Sequence, residues 1–182
     1  MADDGGTQVG GSDAGTEVAA LLDAVPLFAP EGTAERGRIS ATTTAPGAAA
    51  PDRVVVDFGW RSSDARLDLE IATRRVIGDG GDPARQLRLL CAERDFMEAR
   101  ARGRADWSDP PRHGAADYSS TPIAIDGRPH TFTVLSSPGA WTACAHVPGG
   151  FAVRLFAPAP PAGLALRRIT DTADLEPARG QG

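Results

Sequence analysis

The stretch RVVVDFGWRSSDARLDLEI, residues 53–71, contains the clearest structural signal in the chain. Its large apolar residues recur at every second position, at Val54, Val56, Phe58 and Trp60 and then at Leu67, Leu69 and Ile71. A period of two places such residues on one face of an extended strand. Turn-forming residues at 61–64 separate the two runs, so we expect an antiparallel hairpin with one buried face.

The period of two returns after residue 120 and predicts a series of short strands. Apolar residues alternate within 123–125, 132–134, 141–147, 151–155 and 164–169, and turns rich in Gly and Pro separate these runs. Short strands joined by short turns pair as an antiparallel meander. Together with the hairpin, this gives about six to seven strands.

One long helix is expected between the hairpin and the meander. Asp82 is a suitable N-cap, and Pro83 is suited to the first helical position. Apolar side chains then recur at helical spacing over residues 87–97, and Gly103 ends the pattern. The predicted fold class is therefore α+β: an antiparallel β-meander of about six to seven strands packed on one long α-helix.

Residues 1–52 are predicted to form a disordered N-terminal arm that contains a short helix near residues 17–25. Most of this span is rich in Gly, Ala, Thr, Asp and Pro and poor in large apolar residues. Residues 53–175 then form a single α+β domain, followed by a flexible tail at 176–182. A length of 182 residues is consistent with one domain.

The short helix in the arm is a candidate partner-binding element. Leu21, Leu22 and Val25 share one side of it, and Phe28 follows shortly after. A helix this short is marginal by itself in water. We therefore expect it either to dock on the domain or to bind another protein.

The loop at residues 105–120 is the second candidate site. Loops longer than about 12–15 residues are uncommon in compact domains and are often functional. Trp107 and Tyr118 are candidates for partner binding, and Asp109 and His113 are candidates for catalysis. The alternative is an ordinary surface loop that Trp107 holds against the sheet.

Cys144 and His146 complete the catalytic candidates. They are two residues apart on a predicted strand, so both side chains lie on one face. A thiolate and an imidazole can act as nucleophile and base, although a sheet face with a small buried thiol explains the same pattern. Two cysteines and three histidines in the whole chain do not indicate a metal site. We expect no metal and no cofactor.

Composition excludes some classes of chemistry. All 19 basic residues are arginine, and lysine and asparagine are both missing, which is typical of high-GC bacteria. Schiff-base chemistry and the P-loop lysine are therefore excluded. The net charge of −5 gives no general attraction to nucleic acid or to anionic membranes.

No motif identifies a family, and the sequence does not determine the function. We expect a non-enzymatic, cytoplasmic protein-interaction or regulatory module with an unknown protein partner and no membrane association. The alternative is a small ligand-binding domain or hydrolase-like enzyme that uses the 105–120 loop and one sheet face. A third hypothesis, nucleic-acid binding through Arg100–Arg104, competes with a simpler role of these residues at a helix C-terminus. The oligomeric state is left open.

Overall fold

The computed structural model describes residues 14–33, 35–42, 51, 53–61, 66–76, 82–85, 87, 103, 118–137 and 139–177. These residues contain one complete α-helix, α1 (Ala14–Ala24). They also form ten strands: β1 (Phe28–Pro30), β2 (Gly37–Thr42), β3 (Arg53–Arg61), β4 (Arg66–Arg75), β5 (Tyr118–Ile125), β6 (Arg128–Ser137), β7 (Ala140–Val147), β8 (Phe151–Ala157), β9 (Ala165–Arg168) and β10 (Leu175–Pro177). No helix in the described part of the chain is long and apolar enough to cross a membrane.

All ten strands belong to one mixed sheet. Their order is β1-β9-β5-β6-β7-β8-β4-β3-β2-β10. Neighbouring strands are antiparallel except for two parallel pairs, β5 with β9 and β2 with β10. The sheet is curled, because edge strand β1 also contacts β3, and α1 contacts β10 at the opposite edge.

Strand β6 shows where the sheet bends. From Thr133 onwards β6 pairs with β7, whereas within the described residues Arg128–Phe132 pairs only with β5. The β5–β6 hairpin thus diverges from β7 and carries β9 and β1 towards β3. Large sheets rarely stay flat, because each pair of strands is twisted.

The inner face of the curled sheet encloses the main core. The alternate residues of the 53–71 stretch supply part of it: Val54, Val56, Phe58, Leu69 and Ile71 are at most 2% exposed. The predicted hairpin is confirmed, since β3 pairs with β4 along its whole length. Large side chains from distant strands complete this core, among them Phe132, Leu155, Leu166 and Leu175.

The predicted fold class is wrong. The described residues are mostly β and form a ten-stranded mixed sheet, not six to seven antiparallel strands packed on one long helix. The three additional strands are β1, β2 and β10. Two of them, β1 and β2, lie within the span that was expected to be a disordered arm.

Local sequence does not reveal these three strands, for a physical reason. β1 and β10 have only three residues each, and β2 has one large apolar residue, Ile39. Their backbone partners lie far away in the sequence, as when Phe28 pairs with Arg168. Pairing of this kind depends on tertiary context rather than on intrinsic strand preference.

The beginning of the predicted long helix is seen. Residues 83–85 are helical, and Asp82 Oδ1 accepts a hydrogen bond of 3.0 Å from the backbone N–H of Ala84. This contact confirms Asp82 as an N-cap. Leu87 is fully buried. Nearly all later residues of the predicted helix lie outside the described residues.

Helix α1 is part of the core. Val18 and Val25 are buried, and Leu27 and Phe28 continue the buried surface into β1. Leu21 and Leu22 are half-buried and pack against the same core. Docking supplies the apolar contacts that an 11-residue helix needs in water. Of the two alternatives for this helix, the structure thus shows the docked one.

Candidate functional site

The outer face of the sheet, opposite the main core, has two distinct halves. Over β6, β7 and β8 it is covered by an apolar outer cluster, which consists of Leu87, Leu135, Cys144 and Ala152 with Val76 and Tyr118 packed against it. Over β2, β3 and β4 it carries charged side chains, several of them exposed. Some of the candidate residues from the sequence lie in the main core, and others lie on the outer face.

Cys144 and His146 share the outer face of β7, where they lie opposite Arg154 and Ala152 of β8. Cys144 is only 1% exposed, and the Nε2 atom of His146 is buried and has no hydrogen-bond partner in the part of the chain that the structure describes. A thiol buried to this degree is out of reach of a substrate, so the pair does not form an accessible nucleophile. Across the described ranges, no three His, Cys, Asp or Glu side chains are grouped to hold a metal ion.

The apolar candidates of the N-terminal helix face inwards. Val25 and Phe28 are buried in the main core, and Leu21 and Leu22 pack against it. These four side chains therefore contact the protein itself in this structure.

The candidates from the 105–120 loop are only partly described. Tyr118 is the first residue of β5 and is half-buried beside the apolar outer cluster. Trp107, Asp109 and His113 lie outside the described residues. So does the Arg100–Arg104 cluster, apart from Gly103.

A second group of polar side chains comes together on β2, β3, β4 and β8. We call it the charged face, and it consists of Arg38, Arg53, Asp57, Asp68, Glu70, Arg74 and Arg154. The strand register places these residues on the outer side, because the intervening residues, such as Val56 and Ile71, point into the core. Alternation along each strand thus produces both the core and this face.

Like charges are directly opposite each other at two places on the charged face. Asp57 of β3 pairs in register with Glu70 of β4, and Arg53 of β3 pairs with Arg74 of β4. Facing side chains of like charge destabilise a sheet. Arg38 of β2 is the cross-strand neighbour of Asp57 on the other side.

Glu70 is the best compensated of these charges. Its Oε1 accepts a hydrogen bond from Arg53 Nη2 at 3.2 Å and another from Arg154 Nη2. The side chain of Arg154 is 20% exposed and that of Glu70 is 27% exposed, so these ion pairs are partly shielded from water. They tie β3 and β8 to β4 from the outer side.

Three other charged side chains of this face have no direct ion-pair partner among the described residues. Arg38, Asp57 and Arg74 form no side-chain hydrogen bond or ion pair with any residue in the described part of the chain. Arg38 and Arg74 are exposed, and Asp57 is half-buried. Burial raises the pKa of the Asp57 carboxyl, and repulsion by Glu70 adds to this, whereas Arg38 and Arg53 act in the opposite direction.

The two end strands of the sheet are poorly suited to binding another strand. The edge strands β1 and β10 are short and end in Pro30 and Pro177. Among the described residues, strand β5 pairs with β9 only at Ala124 and Ile125. The backbone N–H of Asp126 donates a hydrogen bond to the Leu166 carbonyl of β9, so the backbone N–H groups of even-numbered residues in β5 point towards the β9 side. Pro122 is one of these residues, and a proline has no N–H that another strand could bind. Short strands and prolines protect sheet edges in this way.

No protein-family model, curated protein or solved structure matches this chain. The candidate site therefore follows from the exposure and charge of this chain's residues alone. The charged face is that site, because it combines exposed arginines with charges that form no direct ion pair among the described residues. Sequence patterning predicts a polar outer side for the first hairpin, but it does not show which charges oppose each other.

Proposed function

We propose that this protein is a non-enzymatic, cytoplasmic protein-interaction module whose docking surface is the charged face. The observation that carries the proposal is the pairing of like charges, Asp57 with Glu70 and Arg53 with Arg74. β-Branched or aromatic residues at these positions would stabilise the sheet more. Proteins commonly depart from what folding favours at functional sites, at some loss of stability.

The mixture of charges favours a protein partner over a polyanion. The exposed Arg38 and Arg74 attract acidic groups, but Asp57 and Asp68 repel the uniformly negative backbone of a nucleic acid. A protein surface can place acidic side chains against the arginines and a basic side chain against Asp57. Complementary charges of both signs provide specificity and speed up association.

The charged face is also held in a fixed position. Strands β2, β3 and β4 are paired neighbours over the main core, and the ion pairs of Glu70 join β8 to them from outside. Sites built on strands are positioned more accurately than sites on loops. A partner therefore encounters a preformed surface, which lowers the entropic cost of binding.

Reversal of two exposed charges tests the proposal. The Arg38→Glu/Arg74→Glu variant is compared with the wild type as tagged bait in an extract of the source cells, with bound proteins quantified by mass spectrometry. We expect a partner of the wild type to be depleted about tenfold or more with the variant, since about 1.4 kcal/mol of binding free energy corresponds to a factor of ten.

The matched control is Arg128→Glu/Arg168→Glu, which changes the net charge equally at exposed arginines on β6 and β9. This control is expected to keep the partner, and circular dichroism should show that all three baits are folded at the temperature of the binding experiment. The proposal is wrong if the wild type captures no specific protein, or if its partner binds the charge-reversed bait equally well. The proposal is also contradicted if the charge reversal removes a bound nucleic acid and leaves the bound proteins unchanged.

A further inference from the structure

Two carboxyl groups face each other in the middle of the charged face, and they differ in their surroundings. Asp57 and Glu70 are directly opposite on β3 and β4, an arrangement in which Cβ atoms are typically about 4.5–5.5 Å apart. Glu70 has two arginine partners, Arg53 and Arg154. Asp57 has no ion pair within the described residues.

The groups around Asp57 come from three strands. Arg38 of β2 lies opposite it on one side, and Arg53 belongs to its own strand. On the other side β4 contributes Glu70 and Asp68. Both arginines favour an ionised Asp57, and both acids favour a protonated one. Arg53 is already bound to Glu70, which reduces its effect on Asp57.

We propose that Asp57 is a proton switch of the charged face: one proton neutralises a carboxylate that has no direct ion pair among the described residues, and the face then holds four arginines against two ionised acids instead of three. Protonation also relieves the repulsion from Glu70, whose ion pairs with Arg53 and Arg154 can persist. The raised pKa of Asp57 supports this choice over the other acids of the face. The use of this switch in regulation rests on the proposed docking function, whereas the proton uptake can be measured on the protein alone.

The direction of the pH effect follows from the raised pKa of the folded state. At pH values above it, the ionised Asp57 costs the folded protein stability relative to the unfolded chain. The cost shrinks as the pH falls through the folded pKa and is gone below the unfolded one. Asp57→Asn, a neutral side chain of the same shape, should therefore melt at a higher temperature than the wild type at about pH 7, and the difference should close as the pH approaches about 4.

The control variant is Asp68→Asn. It removes an exposed carboxylate from the same face, at a position opposite Gly59 rather than opposite another acid. It should change the melting temperature far less than Asp57→Asn at neutral pH. Equal effects of the two variants would show that any lost carboxylate acts alike and would overturn the switch.

Titration of Asp57 by carboxyl carbon NMR tests the same inference without relying on stability. We expect a midpoint above that of aspartate in an unfolded peptide, a lower midpoint in Glu70→Gln, and a higher one in Arg38→Gln. A wild-type midpoint at or below the peptide value, or one that Glu70→Gln leaves unchanged, overturns the inference. Failure of the bait experiment alone overturns the docking function, and a normal Asp57 midpoint alone overturns the switch, so the two failures are distinguishable.

Discussion

Replacement of Gly37 by alanine is expected to destabilise the protein by about 3 kcal/mol, at the upper end of what overpacking a core usually costs. Gly37 is the first residue of β2 and is buried. A Cβ atom at this position would lie 2.4 Å from Val56 Cγ1 and 2.5 Å from Phe58 Cζ. Neither neighbour has room to move, because both are buried among other core side chains.

The effect should spread beyond the immediate clash. Gly37 pairs with Leu175 of β10, and the preceding Arg36 donates a side-chain hydrogen bond to the Leu175 carbonyl. If β2 shifts outwards to make room for the methyl group, it weakens the attachment of β10. Urea denaturation measures the loss, and a lower midpoint with an unchanged slope would indicate a destabilised but otherwise similar fold.

Ser40→Ala is the control for Gly37→Ala, since Ser40 is exposed on the same strand. It should change the free energy of unfolding by less than about 0.5 kcal/mol. Adding Phe58→Leu to Gly37→Ala should cost less than the sum of the single changes, because the smaller side chain makes room for the methyl group. Equal stability of Gly37→Ala and Ser40→Ala would contradict the packing described for β2.

Removal of residues 1–42 is expected to abolish cooperative folding. The deletion takes away α1, β1 and β2 and with them the core side chains Val18, Val25, Leu27, Phe28, Ala29 and Ile39. Loss of a single large core side chain typically costs about 2–5 kcal/mol, whereas a whole domain is stable by only about 5–15 kcal/mol. The deletion also leaves β3 and β9 without one neighbouring strand each, and it removes β2, the strand that β10 pairs with.

Thermal unfolding, followed by near-ultraviolet circular dichroism, checks this result. The chain that begins at Ala14 retains every described residue and is the control, which we expect to unfold cooperatively. The hypothesis of a disordered arm predicts the opposite outcome, namely that the shortened domain folds normally. A cooperative transition of the 43–182 chain at the temperature of the full-length protein would show that α1, β1 and β2 are peripheral.

Both predictions concern parts of the chain that support the charged face indirectly. Strand β2 carries Arg38 to its position beside Asp57, so a displaced β2 would alter that face. For this reason the charge-reversal variants, and not the core variants, are the test of function. The core variants test whether the architecture beneath that surface is correct.

Local sequence is sufficient to predict those elements whose causes are local. Alternation of apolar residues predicts strands β3 to β9, and Asp126 and Gly127, residue types that favour tight hairpin turns, form the turn between β5 and β6 with φ values of 49° and 72°. The N-cap at Asp82 and the end of α1 before Pro26 follow from side-chain hydrogen bonding and from the geometry of proline. In each case the decisive contacts lie within a few residues.

Cross-strand neighbours require the tertiary structure. A turn at residues 61–64 would place Asp57 opposite Asp68, whereas the observed register begins with Arg61 opposite Arg66 and places Asp57 opposite Glu70. A shift of two residues keeps every side chain on its own face, so the hydrophobic pattern cannot distinguish the two registers. The register decides which charges oppose each other in the candidate site. The same apolar side chains face the core in either register.

The sequence by itself thus determined that residues 53–71 form a hairpin with one buried face, and that a series of short strands follows after residue 120. Only the tertiary structure decided that β1, β2 and β10 complete the sheet, that α1 packs against its core, and which charges oppose each other on its outer side. Periodicity arises from the geometry of the strand itself, whereas sheet closure and register arise from contacts between residues far apart in the chain.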